Sequence, residues 1–302
     1  MHVAHSRVFK GAAIYAGGVY YCAMDSVGLA LSDCGGLTLT GTGQASYVPT
    51  LSQSEQYLDR QSLAGTIDSS SNLAGQPVYL WSGTRDSVVN PLEVADLNSE
   101  YQHYGAKTKF DNTFPAEHAW ESPDGELACS APAMSPYMVS CDSGGKPYDS
   151  VKTWLSMFLS PLNARATSPL QGQFLKFDQT EFGAGPNNSL DSSGLVYVPR
   201  ACAMGSTCAF ILVEHGCLQA QSFIGSKFAL ESGVAEWADT NNIVVLYPYT
   251  VVAPGPPPST YNPQACYDFW GYSGGNDANY ALKSGNQLTT IYRMVQRVTG
   301  AP

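Results

Sequence analysis

Short apolar runs alternate with amphipathic stretches along this chain, and that alternation restricts its fold more than any other feature. Residues 10–17 (KGAAIYAG) and 77–83 (PVYLWSG) read as buried strands. A helix is expected from Pro91, with proline in its first turn and Val94, Leu97, Tyr101 and Tyr104 at helical spacing. Residues 107–110 suggest the next strand, and 148–159 a second helix with Val151, Trp154, Leu155, Phe158 and Leu159 on one side. The second half repeats the pattern, with strands expected at 173–177, 195–198, 209–213 and 243–247 and helices at 223–237 and 284–298. Ser284 and Gln287 predict a capping box for the last helix. Strand–helix alternation of this kind builds a parallel sheet with crossover helices, an α/β fold.

The proline-rich stretch 253–266 (APGPPPSTYNPQAC) reads as loop. So does the stretch 183–193, where Asn187-Asn188-Ser189 forms a glycosylation sequon in a eukaryotic source. That second loop resembles a joint, yet the two halves are not expected to fold separately, and 1–302 reads as a single domain. No internal repeat is evident.

Eight cysteines in a chain with only 13% charged residues point to an oxidising compartment. Cys22 and Cys34 stand 12 apart, as do Cys129 and Cys141, and Cys202 and Cys208 stand 6 apart, leaving Cys217 and Cys266. Eight cysteines allow 105 connectivities. Three short local loops and one remaining pair are the simplest. Zinc is the alternative, and no C-x2-C pair supports it.

Disulfides imply secretion, but the first residues, Met1-His2-Val3-Ala4-His5-Ser6-Arg7-Val8-Phe9, contain no signal peptide. The expectation is a mature form with an added Met, or a chain lacking residues at its front. The balance of 15 Lys+Arg against 25 Asp+Glu, without a basic cluster, argues against nucleic-acid binding, because phosphate neutralisation needs cations. No apolar run approaches the roughly 20 residues of a membrane span.

Asp86 follows an apolar strand directly, where open α/β sheets keep functional groups; the competing reading is a turn or helix-capping aspartate. His118 lies 32 residues later, past one helix and one strand. That is the spacing an α/β hydrolase uses for the acid and base of a triad, although a surface-loop histidine would look the same. His215-Gly216-Cys217 follows the run AFILV, where hydrolases place an oxyanion-hole N–H; a plain strand-ending turn is the alternative. His215 is not expected to be the base. One G-x-S-x-G match exists, Gly271-Tyr272-Ser273-Gly274-Gly275, but no clean strand precedes it and the next helix starts about ten residues late. Ser273 is therefore not expected to be a nucleophile, and Ser143 does not fit the pattern. With Asp86 and His118 ahead of the HG motif, the order of parts suggests a circular permutation with the nucleophile elbow before the acid.

The chain resembles the single-domain fungal type of extracellular poly(3-hydroxybutyrate) depolymerase, a circularly permuted α/β hydrolase. Nearly the whole chain takes part: VAHSRVFKGAAIYAGGVYYCA, YLWSGTRDSVV, EHAW, LVYVPRAC, EHGCLQ, WADTNNIVVLYP, NPQACYDFWGYSG and the last helix. The resemblance implies Asp86 as triad acid, His118 as base and the Cys217 N–H as oxyanion donor. It supports the four cysteine pairs and suggests that Tyr267, Phe269, Trp270 and Tyr272 line a polymer crevice, core packing being the alternative for these aromatics. It places the nucleophile elbow just upstream of Val3, so the serine and the first strand would be absent from this chain. It implies a secreted monomer that hydrolyses a hydroxyalkanoate polyester or its oligomers through an acyl-enzyme, with no metal, no cofactor and no nucleic-acid or membrane partner. The alternatives are a feruloyl- or acetyl-ester hydrolase acting on plant polymers and a non-catalytic polymer-binding remnant.

Overall fold

A computed structural model describes residues 1–35, 48, 50–255 and 261–301. Strands β1 (Ala12–Tyr15), β2 (Pro77–Trp81) and β3 (Lys107–Asp111) form a parallel sheet in the order β1-β2-β3. Ala12 pairs with Val78, and Val78 with Thr108. Between β1 and β2 runs helix α1 (Leu51–Ala64), and between β2 and β3 helix α2 (Pro91–His103). The Asn90 side chain caps α2 at the Leu92 N–H, and Val94, Leu97 and Tyr101 are its buried apolar residues, as the spacing predicts. Helix α3 (Ser150–Phe158) buries Val151, Trp154 and Leu155 behind an Asp149 cap.

The second sheet comprises β4 (Gln173–Asp178), β5 (Ser193–Val198), β6 (Ala209–Leu212) and β7 (Ile243–Tyr247), in the order β6-β7-β5-β4. Strand β6 runs parallel to β7, while β5 is antiparallel to both β7 and β4. Helix α4 (Val234–Asn241) precedes β7, and α5 (Asn286–Thr299) closes the chain.

On one face, a single apolar cluster runs across both sheets. It joins Tyr79, Trp81, Tyr197, Ile243 and Val245 to Val151, Trp154 and Leu155 of α3 and to Val234 and Ala238 of α4. The opposite face is divided. Val78 and Leu80 pack on α2, whereas Leu246 packs on Ile291, Met294 and Val295 of α5.

The edges of the two sheets differ in chemistry. Strands β3 and β4 end their sheets with exposed lysines, Lys107 and Lys109 on one and Lys176 on the other. Charge is how exposed edges avoid pairing with other chains. The remaining edges, β1 (AAIY) and β6 (AFIL), carry no charge and are only half-buried along their whole length. The sequence predicts 209–213 as a deeply buried strand. Its composition is that of an interior strand, but among the described residues β6 has a neighbour on one side only.

Three further expectations change. The helix expected at 223–237 is broken into Gln221–Ile224, Lys227–Glu231 and α4, because Gly225 (φ 62°) and Gly233 (φ 80°) adopt left-handed backbone. The capping box does not form: Gly285 is the cap, Asn286 N–H donates to Asp277, and the Gln287 amide turns inward to the Asp268 N–H and the Asn188 carbonyl. The loop at 253–266 contains a short antiparallel pair, Ala253–Pro254 with Tyr261–Asn262, and its residues 256–260 lie outside the described ones.

Candidate active site

Asp86 stands on the loop leaving the carboxyl end of β2, and His118 on the loop leaving adjacent β3. Backbone hydrogen bonds zip the two loops together: Ser82 N–H to Asp111, Thr84 N–H to Phe114 and Arg85 N–H to Ala116, at 2.8 to 3.0 Å. This close approach needs glycine at position 83, where a Cβ would overlap the Ala116 carbonyl. Asp86 is 1% exposed. Its Oδ1 accepts from the Val88 and Val89 N–H groups at 2.9 and 2.8 Å, which leaves Oδ2 to face His118 Nδ1 at 3.0 Å. The carboxylate is thus aimed by its own turn, and it fixes the imidazole with Nδ1 as donor and Nε2 free to accept a proton. Burial works to lower the His118 pKa, but the Asp86 charge and hydrogen bond, with Glu117 nearby, outweigh it and raise the value above 6.5.

The sequence reading missed a second clamp on these loops. Glu117 Oε2 accepts from the Ser87 N–H and hydroxyl at 2.9 and 2.8 Å, holding the base's segment to the acid's loop. Its only signal was adjacency to His118.

Beyond β6, the Cys217–Cys266 disulfide joins the 215–219 turn to the 262–272 segment. His215 is buried, and its pKa is lowered to about 4 by desolvation. It donates from Nδ1 to the Gly216 carbonyl at 2.7 Å and accepts at Nε2 from the Thr250 N–H at 3.3 Å. Both ring nitrogens are engaged in structure. The Gly216 carbonyl belongs to the same peptide unit as the Cys217 N–H, so holding one orients the other in the opposite direction. Leu218, at φ 63°, turns the chain sharply after Cys217. Among the described residues the Cys217 N–H has no hydrogen-bond partner.

All four expected cysteine pairs are bonded: Cys22–Cys34, Cys129–Cys141, Cys202–Cys208 and Cys217–Cys266.

The four aromatics expected along a crevice separate by burial. Tyr272, 1% exposed, donates to the Cys266 carbonyl, and Trp270 lies in the core beside it. Tyr267 donates to the Pro248 carbonyl at 2.5 Å and packs against His215. Only Phe269 is exposed, at 38%. The reason is Asp268, whose carboxylate gathers the N–H groups of Trp270, Gly271, Tyr272 and Ser273 and folds the segment back on itself. Tyr272 and Trp270 thus pack inward, at odds with the crevice-lining expectation for these two, while Tyr267 is half-buried. Ser273 is buried at the end of that fold, with no strand leading directly into it, which is not an elbow. Among the described residues no hydroxyl is hydrogen-bonded to His118, and no group of three or more His, Cys, Asp or Glu side chains is placed to hold a metal ion.

No protein-family model matches the chain. It is 35% identical over 305 residues to a poly(3-hydroxybutyrate) depolymerase of Delftia acidovorans, covering 99% of this chain and 56% of that protein. It is 32% identical over 309 residues to a polyhydroxybutyrate depolymerase of Talaromyces funiculosus, covering 98% of this chain and 84% of that one. The chain therefore spans little more than half of the Delftia relative. Two solved structures superpose with a TM-score of 0.81 at 29% identity over 97% of this chain. They are a depolymerase from Penicillium funiculosum, covered over 88%, and a serine-to-alanine variant complexed with an R3HB trimer, covered over 89%. The fold is that of an α/β hydrolase.

Proposed function

The chain belongs to the polyhydroxybutyrate depolymerase family, and from that premise we propose that its site hydrolyses the ester bonds of a poly(3-hydroxyalkanoate) through an acyl-enzyme. The observation that carries this reading is the Asp86–His118 pair, built on the carboxyl ends of neighbouring parallel strands. His118 Nε2 takes the serine proton, gives it to the leaving alkoxide, and then activates the water that frees the acyl group. Asp86 holds the tautomer and stabilises the imidazolium. The Cys217 N–H receives the oxyanion of each tetrahedral intermediate. Phe269 offers an apolar contact to the polymer.

The nucleophile belongs to a strand seated between β1 and β6, in a circularly permuted arrangement of one domain. The uncharged, half-buried edges of those two strands support this, as does the division of the apolar packing on one face only. Residues 1–302 alone are then nearly inactive, since loss of a triad serine costs on the order of 10⁶ in turnover. Four disulfides fit an extracellular location, and no described helix is long and apolar enough to cross a membrane. We place the protein outside the cell, as a monomer acting on a polyester surface or its oligomers without a cofactor.

Release of hydroxyacid from poly(3-hydroxybutyrate) film by the full-length protein tests the reading. Soluble hydroxybutyrate or its oligomers are expected. Inert film beside rapid hydrolysis of a feruloyl ester would overturn the substrate class, and inactivity on every ester would overturn the reaction.

A further inference from the structure

The Gly216–Cys217 peptide is tied on every side but one. Gly216 N–H donates to Gln219 Oε1 at 2.8 Å, the Gly216 carbonyl takes His215 Nδ1 and the Gln219 N–H, and Leu218 N–H donates to the Gln264 carbonyl at 2.8 Å. Gln219 is 4% exposed. Its other end leaves this turn altogether: Nε2 donates to the Pro136 carbonyl at 2.9 Å and the Tyr137 carbonyl at 3.3 Å. The Tyr137 carbonyl also receives the Trp120 N–H at 2.8 Å, two residues beyond His118, and the Tyr137 ring packs edge-on to the His118 ring. A Cβ on Gly216 would press on the Gln219 amide oxygen at 2.9 Å, so the glycine leaves room for that amide.

We infer that Gln219 is a positioning residue that sets the Cys217 N–H and the His118 segment in register with each other. The inference rests on the proposed esterase reading. A buried primary amide suits this task because it accepts at one end and donates at the other in a fixed plane. It links two loops, from β3 and β6, whose strands lie in different sheets. Gln219 touches neither the ester nor the reacting atoms. It acts on the transition state alone, because the oxyanion's charge develops only there.

The test compares wild type, Gln219→Glu and Gln219→Leu in the full-length protein. Gln219→Glu keeps the acceptor for Gly216 but sets a carboxylate against two carbonyl oxygens; Gln219→Leu removes both ends. With p-nitrophenyl butyrate as probe, kcat is expected to fall about tenfold in Gln219→Glu and about a hundredfold in Gln219→Leu, with KM within about twofold, since one lost oxyanion donor costs about 10² to 10³. Any variant that melts within a few degrees of wild type yet keeps kcat within about threefold overturns the inference. If Gln219→Leu does not fold, Gln219→Glu decides alone.

Amide exchange at Gly216 and Trp120 provides a readout that needs no turnover. Both are expected to quicken in any folded variant that weakens both ends, and quickening confined to Gly216 overturns the link. A wild type inactive on p-nitrophenyl butyrate sinks the esterase reading instead, and exchange then decides on Gln219.

Discussion

In the proposed mechanism His118 must be neutral at Nε2 to accept a proton, so its raised pKa would set the acid limb of the activity profile. The kcat/KM of the full-length protein is expected to fall as pH drops through a value above 6.5, the ordinary histidine pKa. Asp86→Asn removes the charge that raises it. The acid limb then moves to lower pH, and plateau kcat falls by about 10⁴, as in a triad whose aspartate no longer fixes the tautomer. A pH–rate series on a soluble ester checks both, and an unmoved limb would show that Asp86 is not the group acting on His118. Gly83→Ala tests the seam between the two loops. The methyl must displace the Ala116 carbonyl, and a loss of about 1 to 3 kcal/mol is expected from overpacking of this kind. Denaturant unfolding measures it. Asp86 and His118 were legible from their positions after apolar runs. Glu117, Ser87 and Gln219 were not, because a clamp between loops has no sequence period and depends on which loops the sheet brings together.

At the scale of elements, the short strand Trp120–Glu121 hangs from a buried carboxylate. Glu121 accepts from Ser150 N–H at the start of α3, at 3.0 Å, and the Ser150 hydroxyl donates to the Glu121 carbonyl at 2.6 Å. Burial pushes the Glu121 pKa from 4.5 up to about 8. A raised carboxyl pKa favours the protonated form in the folded state. Its contribution is therefore fully present below pH 4.5 and is lost as pH rises toward about 8. Glu121→Gln is expected to flatten this dependence, so the variant gains on wild type in melting temperature between those two values. A constant difference across that range would contradict it. The strands and α2, α3 and α5 were readable from apolar spacing. Helix α1 was not, since its sequence LSQSEQYLDRQSLA buries only Ser54, Tyr57 and Leu58 and shows no apolar stripe. The aromatic run 267–272 looked like a surface because its order came from Asp268, one carboxylate whose reach over four N–H groups no periodicity reveals.

For the whole molecule, sheets that carry lysine on one edge and, among the described residues, an uncharged half-buried strand without a neighbour on the other make one prediction about the protein in solution. If the proposed slot is open, residues 1–302 alone present the unpaired β1 and β6 edges as pairing templates and are expected to self-associate at micromolar concentration, whereas a form with a strand between these edges is expected to stay monomeric. Light scattering on the two forms distinguishes them, and a stable monomer of residues 1–302 would argue against an open slot. On the proposed reading the same slot decides the chemistry, because it would seat the serine that His118 activates, with Asp86 behind the base. The most direct measurement is labelling of the full-length protein with a fluorophosphonate, followed by peptide mapping. The account predicts a single labelled serine in a G-x-S-x-G turn next to β1, with labelling abolished by His118→Ala and unaffected by Ser273→Ala. A label on Ser273, or one that survives His118→Ala at the wild-type rate, would contradict it.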